Sequence, residues 1–404
     1  MIRRAVRYVR QFDRNLWVLC LGWFVGALGF AAAIPFLSIY FHERMGMSMT
    51  EIGAFFGAMA LIRAVFQAVG GELSDRMKRK NLLVFAQLFR AVAFLALGLA
   101  IGYDLGFWPI AFFMTVNSIF GAIYVPALHA LVSDILPEEK RLDGYALTRS
   151  AGNLGWAVGP AIGGFMAHSS YAGLFYIAAG ILLTSGIIFW SSFSPPANAL
   201  REGAFRVSDL LAVKEDKKFA THCVLTFLLF LVVAQLVAPF SVYTVSMAGI
   251  SEIRLGYLYT INGLLVALTQ VPVTRLLGGV KFTTQLALGA LFYFIGYGAT
   301  GLSSEYAFLA GVIVVVTTGE VIGSPPSLTL TSRMAPKTQM GRYMGVYSFF
   351  EAAGWSLGPL YGGWYLDHLK GQPEVAWLLI ASLALFAAVG YFWFGKRLDD
   401  RLNR

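Results

Sequence analysis

Charge is what this chain has least of. Asp, Glu, Lys and Arg make up 13% of its 404 residues, against about 25% in an ordinary soluble domain. A water-soluble globule of this size would need more charge to cover its surface, so that class is excluded. Disorder is excluded as well, because 57% of the residues are apolar and there is ample surface to bury. Cysteine is nearly absent. Cys20 and Cys223 each sit inside an apolar run, so neither a disulfide framework nor a thiol metal set is expected, and both read as small core residues. The five histidines have no ligand spacing such as H-E-x-x-H, and there is no G-x-x-x-x-G-K-[ST] loop and no convincing Ser/His/Asp set. Enzyme activity, ATP hydrolysis, a resident metal and a cofactor are therefore not expected.

What the chain does have is long apolar runs. A helix needs about 20 apolar residues to cross the hydrocarbon of a bilayer. Twelve such runs lie at about 15–41, 50–72, 81–102, 106–132, 144–167, 171–193, 218–245, 253–277, 281–301, 305–331, 341–366 and 374–395. The fold class read from this pattern is an all-α polytopic membrane protein of twelve spans. The basic N-terminus MIRRAVRYVR resembles the start of a signal peptide, but the run from Leu16 to Phe41 is too long for one and is expected to remain as the first helix.

The formal charge of +9 does not indicate nucleic acid, because the basic residues fall between spans rather than among stacking aromatics. Of the 31 Lys and Arg, 25 lie in the two tails and the loops on one side, three in the loops on the other, and three inside spans. The positive-inside rule then places both termini in the cytoplasm, with the chain passing many times through the cell inner (plasma) membrane. A miscount by one span would scramble this asymmetry.

The sequence also repeats itself. Val116–Phe165 aligns without gaps on Val315–Trp364 at an offset of 199. Gly155, Trp156, Gly159, Pro160, Gly163 and Gly164 fall on Gly354, Trp355, Gly358, Pro359, Gly362 and Gly363. A polar stretch at 194–217, opening with Pro195-Pro196, separates the halves. The expected organisation is therefore a six-helix bundle at 1–193, a cytoplasmic linker at 194–217 and a second six-helix bundle at 218–404. Two parallel six-helix repeats suit halves that rock about a central site.

Gly71-Glu72-Leu73-Ser74-Asp75-Arg76-Met77-Lys78-Arg79-Lys80 resembles the G-x-L-a-D-r-x-G-R-k signature of the major facilitator superfamily, with Lys78 where that family has Gly. Gly155-x-x-x-Gly159-Pro160-x-x-Gly163-Gly164 resembles the antiporter motif of its drug:proton exporters. Gly319-Glu320-Val321…Pro325 and Gly341-Arg342-Tyr343-Met344-Gly345 are similar to its bacterial multidrug facilitators. The span-4 motif R-x-L-x-G is broken, with Asn117 in the Arg position, so no role of that Arg carries over. The resemblance implies two pseudo-symmetric bundles and secondary transport. Physically, Gly71, Asp75, Arg76 and Arg79 either latch the cytoplasmic side or are ordinary positive-inside charge. Gly155, Gly159, Pro160, Gly358 and Pro359 allow close helix contact and bending, which serves gating or packing alone.

Only Glu320 and Glu351, among 22 acidic residues, lie deep within spans. An ionisable group there costs about 2.5–3.5 kcal/mol on insertion scales and is tolerated beside water or a partner. Burial favours the neutral form, so at least one is expected to exchange a proton during transport; the alternative is a neutral structural Glu. Arg63, Arg90 and Arg149 are the cations within spans. Arg63 and Arg149 either pair with the acids or bind an anionic substrate. Arg90, nearer a span end and with the membrane surface within reach of its side chain, is expected to be structural. Asn117, Asn153, Gln235, Asn262 and Gln270 are further candidates for substrate contact or helix–helix hydrogen bonds. Tyr347, Phe350 and Trp355 flank Glu351 and either stack a substrate or pack.

These residues support a secondary active transporter working by alternating access, with proton-coupled efflux of amphipathic or cationic small molecules as the leading function. A proton-coupled importer of a polar or anionic solute is the first alternative, and a lipid-handling or sensor protein on the same scaffold is the second. The expected partners are a small-molecule substrate, protons and membrane lipids. A monomer is expected.

Overall fold

The computed structural model describes residues 12–137, 140–194, 216–336 and 340–403. Among them the regular structure is helical, without strands. The long helices are α1 (Arg14–Glu43), α2 (Met49–Arg76), α3 (Arg79–Gly102), α4 (Phe107–Ile135), α5 (Arg141–Ser169) and α6 (Tyr171–Ser192). They continue with α7 (Lys217–Met247), α8 (Glu252–Leu276), α9 (Phe282–Ala299), α10 (Tyr306–Met334), α11 (Met340–His368) and α12 (Pro373–Gly395). A single turn, α13 (Asp400–Asn403), follows. The twelve runs thus become twelve long helices. Nine are apolar enough, by composition and length, to cross a membrane. The other three, α5, α8 and α11, have 29, 25 and 29 residues but carry polar side chains along their length. The polar linker at 194–217 falls almost wholly outside the described residues.

Helix ends follow local chemistry. Ser170 caps α6 by accepting from Gly173 N at 3.0 Å, and Asp216 caps α7 by accepting from Phe219 N at 3.0 Å. At the start of α2, Ser48 Oγ accepts from Glu51 N at 3.2 Å while Glu51 Oε2 accepts from Ser48 N at 2.8 Å, a reciprocal capping box.

The chain divides into two compact units. One comprises Met1–Ile34 and Ile62–Ala204, the other Pro35–Leu61 and Phe205–Arg404. In the first, α3 packs against α4 and α6; in the second, α9 packs against α10 and α12, the same pairing six helices later. The second unit also contains the start of α2, where Asp367 at the end of α11 accepts from Met49 N at 3.0 Å, Thr50 N at 2.7 Å and Thr50 Oγ1 at 2.6 Å. These bonds satisfy donors that a helix start otherwise leaves orphaned.

The glycine repeat sets matching close helix approaches in the two units. In the first unit, a Cβ on Gly155 would stand 2.7 Å from Phe24 O of α1, and one on Gly159 2.7 Å from Leu28 O. In the second, a Cβ on Gly354 would stand 2.8 Å from Phe227 O of α7, and one on Gly358 2.7 Å from Leu231 O. Helix association in lipid depends on this kind of backbone approach, because no water is released to drive it.

Proline breaks α7. Its α-helical part stops at Val233, a 3-10 turn follows at Ala234–Leu236, and Pro239 begins a new short turn. The carbonyls freed by the break are met by side chains. Tyr259 OH donates to Leu236 O at 2.7 Å, and Ser241 Oγ donates to Val237 O at 3.2 Å. Gln235 Nε2 donates to Leu231 O at 2.6 Å and to Gly358 O of α11 at 2.7 Å. Irregular backbone survives in a membrane protein only when it is satisfied in this way.

Gly358→Val is expected to destabilise the protein by about 1–3 kcal/mol through overpacking against Leu231. Gly311→Ala, where an added Cβ meets nothing within 4 Å, is expected to be neutral. Thermal unfolding of the purified variants in one detergent checks the contrast.

Candidate functional site

Among the described residues, each unit holds a polar cluster built around an arginine or a glutamate within its helices. The first surrounds a cavity of about 170 Å³. Trp23 and Phe30 of α1, Tyr124 of α4 and Trp156 of α5 supply its aromatic wall. Trp23 and Tyr124 stack with ring centroids 5.4 Å apart at 18°, and Phe30 meets Trp156 edge-on at 6.0 Å. Arg63 of α2, Arg90 of α3 and Asn117 of α4 are among its polar groups, and among the described residues no carboxylate lines it.

Arg90 is buried inside the unit and does not take the route to the membrane surface that its place near a span end allows. Its Nε donates to Asn117 Oδ1 at 3.1 Å, its Nη1 donates to Gln87 Oε1 at 2.9 Å, and its guanidinium lies over the Phe30 ring at 5.3 Å. Gln87 Nε2 donates to Ser185 Oγ at 2.8 Å, and Ser185 Oγ donates to Gly22 O at 2.7 Å. A hydrogen-bonded chain therefore runs from the α1 backbone through α6 and α3 to the guanidinium and fixes its direction. Gly121 of α4 lies alongside it, and a Cβ there would stand 3.6 Å from Arg90 Nε, an ordinary van der Waals contact. Asn117 occupies the place where the resembling span-4 motif has Arg, yet a guanidinium still reaches that place, delivered from α3. Among the described residues, Arg63 makes no hydrogen bond or ion pair.

The second cluster centres on Glu320, half-buried in α10. Asn262 Nδ2 of α8 donates to Glu320 Oε2 at 3.1 Å and to Thr317 Oγ1 at 2.9 Å. About two turns further along α8, Gln270 Nε2 donates to Val321 O at 3.0 Å. Close contact of α9 with α10 sets this depth, as a Cβ on Gly319 would stand 2.7 Å from Gly289 O. Glu351 is half-buried in α11.

The remaining candidates are distributed as follows. Tyr347 is buried, shares a 2.8 Å hydrogen bond with Ser327 and stacks over His222 at 5.7 Å. His222 in turn meets Thr331 Oγ1 at 3.0 Å and Tyr391 OH at 3.3 Å, so Tyr347 belongs to an internal polar network. Gln235 is fully buried with its amide donating to two carbonyls. Trp355 is exposed beside Phe230, and Arg149 and Asn153 are exposed on α5, away from the cavity lining. In the signature loop, Arg79 pairs with Asp134 of α4 at 2.5 Å and its Nε donates to Ser74 O at 3.1 Å. Gly71 has open space around it, Pro160 and Pro359 are buried, and the side chains of Asp75 and Arg76 lie outside the described residues. Sequence reasoning missed Trp23, Phe30, Tyr124, Trp156, Gln87 and Ser185. One signal was available: Gln87 and Arg90 are three apart, hence on one helical face.

Apolar helices in two units, each with polar side chains gathered in its interior, define a helical multi-pass membrane protein. The signature of the Major Facilitator Superfamily matches residues 19–359. The chain belongs to that superfamily and is a transporter of its kind. It is 26% identical over 395 residues to the Uncharacterized MFS-type transporter YttB of Bacillus subtilis (strain 168), covering 96% of each chain. It is 25% identical over 387 residues to the Multidrug resistance protein MdtH of Shigella boydii serotype 4 (strain Sb227), covering 93% of each. Its fold matches a POT family transporter crystallised with 5-aminolevulinic acid, at TM-score 0.80, 14% identity and coverage of 95% and 96%. It also matches a point mutant of the nucleoside transporter NupG, at TM-score 0.78, 13% identity and coverage of 94% and 100%.

Gln87→Ala is expected to cost about 1–3 kcal/mol, because it leaves the buried Ser185 and Arg90 groups short of partners. A lowered melting temperature of the purified variant checks it.

Proposed function

We propose that this protein is a secondary active transporter that works by alternating access and exports amphipathic small molecules, cations among them, in exchange for protons. The observation that carries the reading is Glu320, a carboxylate in the middle of α10 whose bond from Asn262 joins α8 to α10. An acid at that depth is costly when charged and is a default candidate for ion or proton coupling. Its protonation removes a charge from the interior of the unit and alters what Asn262 bonds to, which links proton occupancy to helix packing. The similarity to a multidrug resistance protein over most of both chains supports export.

The energetics are sufficient. One charge moving through about 100 mV yields about 2.3 kcal/mol, and a tenfold gradient requires about 1.4 kcal/mol. One proton thus supports about a 40-fold gradient before any pH difference is added. One carboxylate suffices as machinery.

A second reading, proton-coupled uptake of a polar or anionic solute, is favoured by Arg63 and Arg90 in a cavity with no carboxylate among the described residues.

Proteoliposomes with an imposed pH gradient and ethidium as probe test the proposal. Ethidium is expected to accumulate on the proton-source side, and Glu320→Gln is expected to abolish accumulation against the gradient while leaving ethidium binding within about threefold. Undiminished proton-driven accumulation by Glu320→Gln removes the coupling role. Saturable co-uptake of a polar solute with protons favours the second reading.

A further inference from the structure

We propose that the cavity of the first unit binds a planar aromatic anion, an aryl carboxylate whose ring lies along the Trp23, Phe30, Tyr124 and Trp156 wall and whose carboxylate is taken by Arg63 and Arg90. The inference rests on the transport reading only in treating the ligand as a substrate.

Four observations carry it. The first is charge. Two guanidinium groups line one cavity in which, among the described residues, no carboxylate takes part, and an aqueous anion entering there relieves their mutual repulsion. A cation entering the same space is driven against both.

The second is the state of the donors. Arg90 is held from two directions by Asn117 and Gln87, and those two bonds leave most of its N–H groups without a protein acceptor. Arg63 makes no hydrogen bond or ion pair among the described residues. A carboxylate offers two oxygens in one plane, which match a guanidinium fork bidentately. The hydrogen-bonded chain through Gln87, Ser185 and Gly22 O keeps the Arg90 fork oriented without a ligand, so little order has to be imposed on binding.

The third is the wall. The near-parallel Trp23–Tyr124 pair and the edge-on Phe30–Trp156 pair present both geometries in which aromatic rings associate. Arg90 already rests over Phe30 at 5.3 Å, so the ring surface and the charged surface are continuous.

The fourth is size. The cavity measures about 170 Å³, and an apolar protein cavity of about 150 Å³ holds benzene. One ring fits with its carboxylate at the arginines, and the rest of a larger substrate projects from the open side. A substrate with a distal amine is compatible with this arrangement.

The test uses the purified full chain in detergent and three probes: 2-naphthoate, its ring-matched cation 2-naphthylmethylammonium, and cyclohexanecarboxylate. Intrinsic tryptophan fluorescence and thermal unfolding are the readouts. The expected result is saturable quenching and a raised melting temperature with 2-naphthoate, with the other two probes weaker by about tenfold or more. Arg63→Gln is expected to weaken 2-naphthoate by about tenfold or more, and Arg63→Lys by less, because it keeps the charge and loses the fork. Equal or tighter binding of the ammonium probe, equal binding of cyclohexanecarboxylate, or unchanged affinity in Arg63→Gln overturns the proposal. The probe comparison needs no variant, so it stands even where a substitution fails to fold. The outcome separates from that of the transport reading. Proton-driven ethidium transport without 2-naphthoate binding overturns this site alone, and 2-naphthoate binding without proton-driven transport of any probe overturns the transport reading alone.

Discussion

Close backbone contact between helices is the constraint on which this structure rests. In lipid there is no water to release between two apolar helices, so helices associate where side chains are small enough for main chains to touch. Gly155 and Gly159 meet α1 in the first unit, and Gly354 and Gly358 meet α7 in the second, at nearly equal clearances. Each pair lets α5 or α11, helices that carry more polar side chains than their neighbours, pack main chain to main chain against α1 or α7. The Gly289–Gly319 contact does the same for α9 and for α10, which carries Glu320. Larger residues at these points would hold the helices apart and leave the interior polar groups without partners.

The two units use their polar groups differently. In the second, several are consumed by the fold itself. Gln235, Tyr259 and Ser241 meet carbonyls released by the break in α7, and Tyr347, His222, Thr331 and Tyr391 bond to one another. In the first, a supported chain of bonds ends in a guanidinium directed at a cavity. Buried donors satisfied by protein atoms are scaffolding, whereas donors held in place but left without an acceptor are available to a ligand.

The helices were legible in the sequence because the hydrocarbon thickness sets a length that apolar runs have to match. The repeat was legible because Gly, Pro and Trp recur in an ungapped register. The site was only partly legible. The cost of charge in a span singled out Glu320 and Arg63, but the same cost did not show that Arg90 turns inward to Asn117 and Gln87. Gln235 and Tyr347 looked like equally good candidates, because a mid-span polar residue reads the same in sequence whether it meets a carbonyl or a cavity.

By itself, the sequence determined the class of protein, the number and approximate limits of its helices and the kinship of its two halves. These depend on composition and periodicity, which are properties of the chain read in order. The tertiary structure alone decided which polar side chains share a space. Arg63, Arg90 and the ring of Trp23 come from three different helices, and only helix packing, with side chains of definite direction and neighbours of definite size, makes them one wall.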